Sequence, residues 1–264
     1  FTEPLTPGAL TPALGEAGFV REDEIRDATK RVLVNIGAAT AARAALVVPD
    51  VLVRFRLFAQ EEVNAESAKR DALIAFRMQK LLPFSPDDIR VISAWPRSPA
   101  NLVLGIGCSS AALTAYETLA EAFDLDVGSV ETSSMALLRG VCSAGDTLLV
   151  SHDPAWMTLT LARDGWPVAI RSFDAAVSLS STEIRRELAS TEVFWRDRLA
   201  GERLTRAIVH AADSLVDSLS ADVASLFDCR PERATPPSDL VASGVPVALQ
   251  RLAAPGLTLL HAGH

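Results

Sequence analysis

Between Thr147 and Ser172 the chain passes through three strand-like stretches in a row, and from there it alternates helix, strand and helix. Thr147 to Val150, Trp156 to Ala162 and Pro167 to Ser172 are the three. The last two are joined at Asp164-Gly165, a pair that tolerates the left-handed backbone of a two-residue hairpin. Met157, Leu159 and Leu161 alternate with Thr158, Thr160 and Ala162, the period of a half-buried strand. Ser180 and Glu183 have capping-box spacing and open a helix whose Ile184, Leu188, Trp195 and Leu199 fall on one stripe. A strand from Ala207 to His210, a helix from Asp213 to about Leu226, a proline-rich loop from Arg230 to Pro237 and a last helix near Asp239 to Leu252 complete this half.

Hairpins followed by crossover helices define an α/β lobe, and this order matches the ribonuclease-H-like unit of which actin-type ATPases carry two copies. Resemblance to the actin-type ATPases implies that two bends of such a unit approach the nucleotide. Here they fall on Ser151-His152-Asp153, before Pro154, and on Ala211-Ala212, and glycine is missing from both. Glycine lets backbone N–H groups reach phosphate at positive φ, and a Cβ obstructs that approach. The Asp153 carboxylate would repel an anionic ligand by on the order of 4 kcal/mol at ~4 Å in an intermediate dielectric. Ser151, Asp153, Thr158, Ala211 and Ala212 therefore read as a degenerate nucleotide site, with no catalytic residue and no cofactor expected. The chemical alternative has Asp153 holding Mg²⁺ through water, Ser151 or Thr158 donating to the phosphates of ATP, and His152 acting as a base. The plainer role for His152 and His210 is that of strand-end histidines bonded to neighbouring loops.

A chain of 264 residues, 49% hydrophobic and 22% charged, is long enough for one large or two ordinary domains with buried cores. Its net charge of −8 argues against a phosphate-tracking surface, so no nucleic-acid partner is expected. Cys108, Cys142 and Cys229 are odd in number and share no CxxC spacing, as buried thiols in a reducing compartment do. The four histidines form no HExxH or HxxxH pair, and no metal site is expected. No run reaches the roughly 20 apolar residues of a membrane helix. The start at Phe1, without a basic-then-apolar leader, reads as a fragment whose natural beginning lies upstream.

The first half opens with turns at Thr6-Pro7-Gly8 and Thr11-Pro12, followed by an amphipathic helix from about Glu22 to Ile36 with Ile25, Ala28, Val32 and Ile36 on one face. Strands from Ala44 to Val48 and Val53 to Phe58 flank Pro49. Asn64 is placed to cap a helix running to about Leu81, whose Lys69, Arg70, Arg77 and Lys80 read either as a solvated face or as a docking surface for an acidic partner. Strands from Arg90 to Trp95 and Leu102 to Ile106, a helix from Ser110 to Phe123, a strand from Leu125 to Val130 and a helix from Ser133 to about Cys142 follow. Gly105-Ile106-Gly107 lacks the third glycine of a dinucleotide fingerprint and reads as a tight turn into a serine-capped helix. Ala144-Gly145-Asp146 marks a boundary between a first lobe at 1–145 and a second at 146–264.

Leu46-Val47-Val48-Pro49-Asp50 with Arg54 and Leu57, then Arg77-Met78-Gln79-Lys80-Leu81-Leu82-Pro83-Phe84, then Tyr116-Glu117 ahead of Ala122-Phe123-Asp124-Leu125 and Gly128-Ser129-Val130, come in an order that resembles the PilM family of type IV pilus assembly proteins, relatives of the cell-division protein FtsA. The resemblance extends to the Leu5-Thr6-Pro7-Gly8-Ala9-Leu10 opening and to the hairpin and helices after Asp146, and so spans nearly the whole chain. It implies a two-lobed actin-like fold with an FtsA-type small subdomain inserted at about 59–107, and with the N-terminal strands of the first lobe incomplete. It further implies a cytoplasmic scaffold at the inner face of the bacterial inner membrane, serving a type IV pilus or related type II secretion platform without ATPase activity. The partner would be the short cytoplasmic tail of a PilN-like membrane protein, with the assembly motor ATPase as a second. Arg54 and Arg56 near the first-lobe strands, with Arg77 and Lys80, are the candidate contacts; for Arg54 and Arg56 the plain alternative is outward-facing residues of an exposed strand. The competing expectation is an active actin-like ATPase whose first phosphate loop lies in a missing N-terminal segment.

Overall fold

The computed structural model describes residues 3–37, 43–63, 67–96, 101–141, 144–153, 156–174 and 181–234. Packing of the backbone divides these into two compact units, residues 3–94 with 103–133 and residues 95–102 with 134–234.

In the first unit an arm before residue 22 is folded on itself by the bridges Leu10 to Phe19 and Ala13 to Glu16. Tyr116 pins it: the phenol donates to the Ala17 carbonyl at 3.1 Å, and the ring meets Phe19 edge-on at 4.9 Å. Helix α1 (Glu22–Ile36) starts with Glu22, Asp23 and Glu24, whose charge suits a helix N-terminus, and ends at Gly37 in the left-handed conformation with its N–H on the carbonyls of Leu33 and Val34. The expected stripe holds for Ile25 and Ala28, which are buried, and fails at Ile36, which is 52% exposed.

Strand β1 (Arg43–Val48) leads through Pro49 and a short 3₁₀ turn to β2 (Val53–Ala59), α2 (Ser67–Gln79), β3 (Ile89–Ala94) and β4 (Leu102–Ser109). These last three strands form their own sheet in the order β2-β4-β3, with β3 and β4 antiparallel. Helix α3 (Ser110–Glu121) is capped by Ser109, as expected, with the hydroxyl accepting from the Ala112 N–H. Strand β5 (Asp126–Thr132) then returns to pair with β1, parallel, in a two-stranded sheet.

The Gly105-Ile106-Gly107 segment corrects the sequence reading: it is strand, not turn, and the turn comes only at Ser109. Its glycines serve packing. A Cβ on Gly105 would lie 2.8 Å from the Phe58 ring and 3.1 Å from the Met78 sulfur, and one on Gly107 would lie 2.8 Å from Leu82. Bare backbone here lets α2 and its following turn press Met78 and Leu82 onto the sheet.

The second unit contains α4 (Ser133–Val141) from its second residue on, then β6 (Asp146–Asp153), β7 (Trp156–Arg163), β8 (Trp166–Asp174), α5 (Ser181–Leu199), β9 (Leu204–His210), α6 (Asp213–Phe227) and β10 (Glu232–Arg233). The sheet order is β10-β9-β6-β7-β8: an antiparallel meander on one side and parallel strands on the other. Asp164 and Gly165 turn the β7–β8 hairpin with both residues at positive φ, 50° and 78°, as expected for an Asp-Gly pair.

Leu148 and Val150 of β6, Met157, Leu159 and Leu161 of β7, and Ala207 and Val209 of β9 share one core with Ile184, Leu188 and Trp195 of α5 and Val216, Leu219, Val223 and Phe227 of α6. At one end of that core Arg163 forks onto Asp146 at 2.7 and 2.8 Å, and the Trp195 indole donates to the same carboxylate at 2.7 Å. Gly201 completes the corner, for a Cβ there would come within 2.1 Å of the indole. The Asn64 cap, the capping box at Ser180 and the helix near Asp239 to Leu252 lie outside the described residues, as does Cys142.

The two units share a sequence of elements. Helix, strand, helix and strand run α1, β1, α3, β5 in one and α5, β9, α6, β10 in the other, and each pair of strands lies parallel and adjacent. Between β9 and α6 stand only Ala211 and Ala212, whereas β2, α2, β3 and β4 intervene between β1 and α3.

Candidate functional site

Ser151, Thr158 and Ser172 follow one another across β6, β7 and β8, and His210 of β9 stands opposite Ser151 on the other side. Because side chains alternate faces along a strand, this row lies on the face opposite the core residues Val150, Leu159 and Val209. Ser151, Thr158 and His210 are buried. The row is joined pairwise: Ser151 Oγ lies 3.4 Å from His210 Nδ1, and Thr158 Oγ1 lies 3.4 Å from Ser172 Oγ. One step along β7, the Thr160 hydroxyl is fully buried and has no hydrogen-bond partner among the described residues.

Ser151-His152-Asp153 is not a bend. The β6 ladder continues to the pairing of Asp153 with Trp156, and residues 154–155 lie outside the described set. The ladder also redirects the histidines. His210 meets Ser151 across the sheet. His152 is 8% exposed on the core face, its Nδ1 has no hydrogen-bond partner among the described residues, and burial holds its pKa below the usual imidazole value.

At the second predicted bend Ala211 is buried and Ala212 is the N-terminal flank of α6 at φ −58°, ψ 148°. Neither is among the residues at positive φ. The backbone at this corner therefore has no need of glycine, and α6 opens without a side-chain cap.

The carboxyl ends of β1 and β5 carry polar residues that the sequence reading used only as family markers or not at all. Asp50 is 2% exposed just past β1, and Glu131 and Thr132 close β5 opposite Val47 and Val48. The Thr132 hydroxyl is buried with no hydrogen-bond partner among the described residues, while Ser133 donates to the Val48 carbonyl at 3.3 Å. Ligands of parallel sheets sit outside the carboxyl ends of the strands, and that rule, applied to Pro49-Asp50 and Glu131-Thr132, was the signal available in the sequence.

The four basic candidates lie in the first unit, on β2 and on or just past α2. Arg54 is half-buried and donates to the Val53 carbonyl at 3.1 Å. Arg56 is exposed, with its guanidinium 5.2 Å from the Phe58 ring centre; Arg77 approaches the same ring at 6.0 Å while pairing with Glu62 at 2.6 Å. Lys80 lies 4.7 Å from the ring of Phe76, which is 56% exposed. Cation–aromatic contacts thus hold Arg56, Arg77 and Lys80 along the surface.

No helix among the described residues is long and apolar enough to cross a membrane. No family model and no curated protein matches the chain by sequence. Similarity appears in the fold, which is actin-like: mixed sheets with crossover helices in two units. A chain of the PilM–PilN type IV pilus biogenesis complex superposes with a TM-score of 0.78 at 14% identity, over 99% of this chain and 90% of that one. The cytoplasmic domain of EpsL, an inner-membrane component of the type II secretion system of Vibrio cholerae, follows with a TM-score of 0.50 at 11% identity, over 88% and 80% of the two chains. The resemblance read from the sequence and the likeness of the fold thus point to the same group of proteins.

Proposed function

We propose that this protein is an actin-like scaffold of a type IV pilus or type II secretion assembly platform, working at the cytoplasmic face of the inner membrane without hydrolysing ATP. The observation that carries the reading is the likeness to a chain of the PilM–PilN complex over almost the entire length. The state of the nucleotide bends supports the second half of it: side-chain-bearing residues fill a regular ladder at Ser151 and His152, and alanines fill the corner before α6. Ser151, Asp153, Thr158, Ala211 and Ala212 are then remnants of a site.

In this reading the partner is a PilN-like membrane protein whose short cytoplasmic tail lies against the first unit near β2, gaining affinity from main-chain bonds and specificity from side-chain pockets. Arg54, Arg56, Arg77 and Lys80 supply the charge, and the assembly motor binds the completed platform. Titration of a synthetic PilN-like tail against the intact chain tests it. Saturable binding that Arg56→Glu weakens at least tenfold is the expected result, and unaltered binding removes the assigned surface. The competing reading, an active ATPase, draws on the buried Asp50 and the polar strand ends beside it. It requires a magnesium-dependent rise in melting temperature with ATP, and the scaffold reading requires none.

A further inference from the structure

Among the described residues, three helices hold large apolar side chains in the open: α1 with Val34 and Ile36, α2 with Phe76, and α5 with Val193 and Phe194. Charge separates the three. Helix α1 has four acidic residues against three basic ones, and α5 has four of each. Helix α2 has Lys69, Arg70 and Arg77 against Asp71 alone, with Lys80 one residue past its end, in a chain whose net charge is −8.

These residues are ordered around the helix. Ile74 and Met78 are fully buried and mark the face toward the sheet. At about 3.6 residues per turn the opposite crest carries Lys69, Leu73, Phe76 and Lys80, a lysine at each end and two apolar side chains between. Leu73 is half-buried, and the exposed Phe76 ring has the Lys80 ammonium 4.7 Å from its centre. No acidic residue of α2 shares the crest: Asp71 lies toward the sheet and accepts from the Ser93 hydroxyl at 2.9 Å. Glu62, on the turn before the helix, is engaged by Arg77 at 2.6 Å.

An aromatic ring standing on a convex helix and framed by cations fits a surface that is negatively charged and yields around the ring. At a bilayer, phenylalanine settles between headgroups and acyl chains, while lysine stems follow the apolar layer and carry their ammonium groups to anionic headgroups. A rigid acidic partner would instead need a pocket shaped to Phe76. We propose that the crest of α2 rests on an anionic phospholipid surface, with Phe76 and Leu73 entering the headgroup boundary and Lys69 and Lys80 meeting the phosphates. The tail-binding surface assigned above is a different one: Arg56 and Arg77 flank the Phe58 ring, off the crest, and only Lys80 is common to both.

Co-sedimentation of the intact chain with lipid vesicles tests it. Vesicles of phosphatidylglycerol and phosphatidylcholine in equal parts are expected to bind the chain at low salt, and vesicles of phosphatidylcholine alone roughly tenfold less. Salt at about 1 M, which screens charges beyond about 3 Å, is expected to weaken the binding. Phe76→Ser is expected to lower the partition coefficient by roughly tenfold, and the pair Lys69→Glu and Lys80→Glu by at least as much. Phe194→Ser removes an exposed ring from the charge-balanced α5 and is expected to leave partition unchanged. Thermal melting checks that each variant is folded, and the lysine pair reads the same crest independently of Phe76. The proposal is overturned if the mixed vesicles do not bind, if both lipid compositions bind alike, or if Phe194→Ser weakens binding as much as Phe76→Ser does. Binding to soluble polyglutamate without binding to vesicles also overturns it and gives the crest to an acidic protein. The vesicles hold lipid alone, so failure here leaves the tail titration as it stands.

Discussion

Helices α5 and α1 hold the same place in the order of their units, and they bury themselves very differently. Over 19 residues α5 buries Ile184, Leu188, Thr191 and Trp195. Over 15 residues α1 buries Ile25 and Ala28 and leaves Val34 and Ile36 70% and 52% exposed. Both helices carry an amphipathic pattern. What differs among the described residues is the sheet: five strands give α5 a continuous apolar floor, while the parallel pair in the first unit has two. An apolar stripe is a capacity for packing, and the partner surface decides how much of it is used.

The largest test of that contrast is Trp195→Ala. The side chain is 1% exposed within the second core, and its loss is expected to cost about 3–5 kcal/mol by cavity formation and lost transfer energy. Val34→Ala at the exposed end of α1 is expected to move stability by less than about 0.5 kcal/mol. Denaturant unfolding separates the two units optically, because Trp95, Trp156, Trp166 and Trp195 all lie in the second unit and the one tyrosine, Tyr116, lies in the first. If Val34→Ala proves as damaging as Trp195→Ala, the exposed half of α1 is covered in solution and the contrast fails.

Asp146→Ala comes next, at about 2–3 kcal/mol in the tryptophan-detected transition. It leaves the Trp195 indole without its acceptor and the Arg163 guanidinium with the Leu199 carbonyl, and Arg163 recovers part of the loss because it is 40% exposed and can turn to water. Asp146→Asn, which keeps an acceptor for the indole, is expected to cost less than the alanine. Equal losses would mean that the carboxylate charge, not the indole bond, holds the corner.

In the first unit the corresponding probe is overpacking. Gly105→Ala places a Cβ 2.8 Å from the Phe58 ring, and about 1–2 kcal/mol is expected as the ring and the flexible Met78 side chain yield. A neutral result would show that α2 rests loosely on its sheet. This position also marks where the sequence stopped being legible. Alternation and Asp-Gly chemistry are local, so the β7–β8 hairpin was readable, as were the bounds of α1 and the Ser109 cap. The role of Gly105 depends on Phe58 and Met78, tens of residues away in the chain, and a glycine pair next to serines carries the same local signal whether it turns or packs. The site was legible in outline for the same reason. Strand ends placed Ser151, Thr158 and Ala211, but their pairing across β6, β7, β8 and β9, which turned a supposed bend into a polar row, required the register.

The smallest expected effect concerns His152 and separates the units by pH instead of by packing. Burial favours the neutral ring, so the folded imidazole takes up its proton only below the ordinary value near 6.5, while the unfolded chain takes it up at that value. Between those two pKa values the unfolded state binds more protons, and the second unit loses stability as the pH falls; below the folded pKa the loss levels off, and above about 6.5 it is absent. His210 shares the row with Ser151 and both remaining histidines lie outside the described residues, so among the described residues every imidazole belongs to the second unit. Acidification from pH 7.5 to 5 should therefore lower the tryptophan-detected midpoint and leave the tyrosine-detected midpoint nearly fixed. His152→Gln, which has no proton to gain, should flatten the tryptophan curve. A slope that survives the substitution would remove His152 as the acid-sensitive group of this unit.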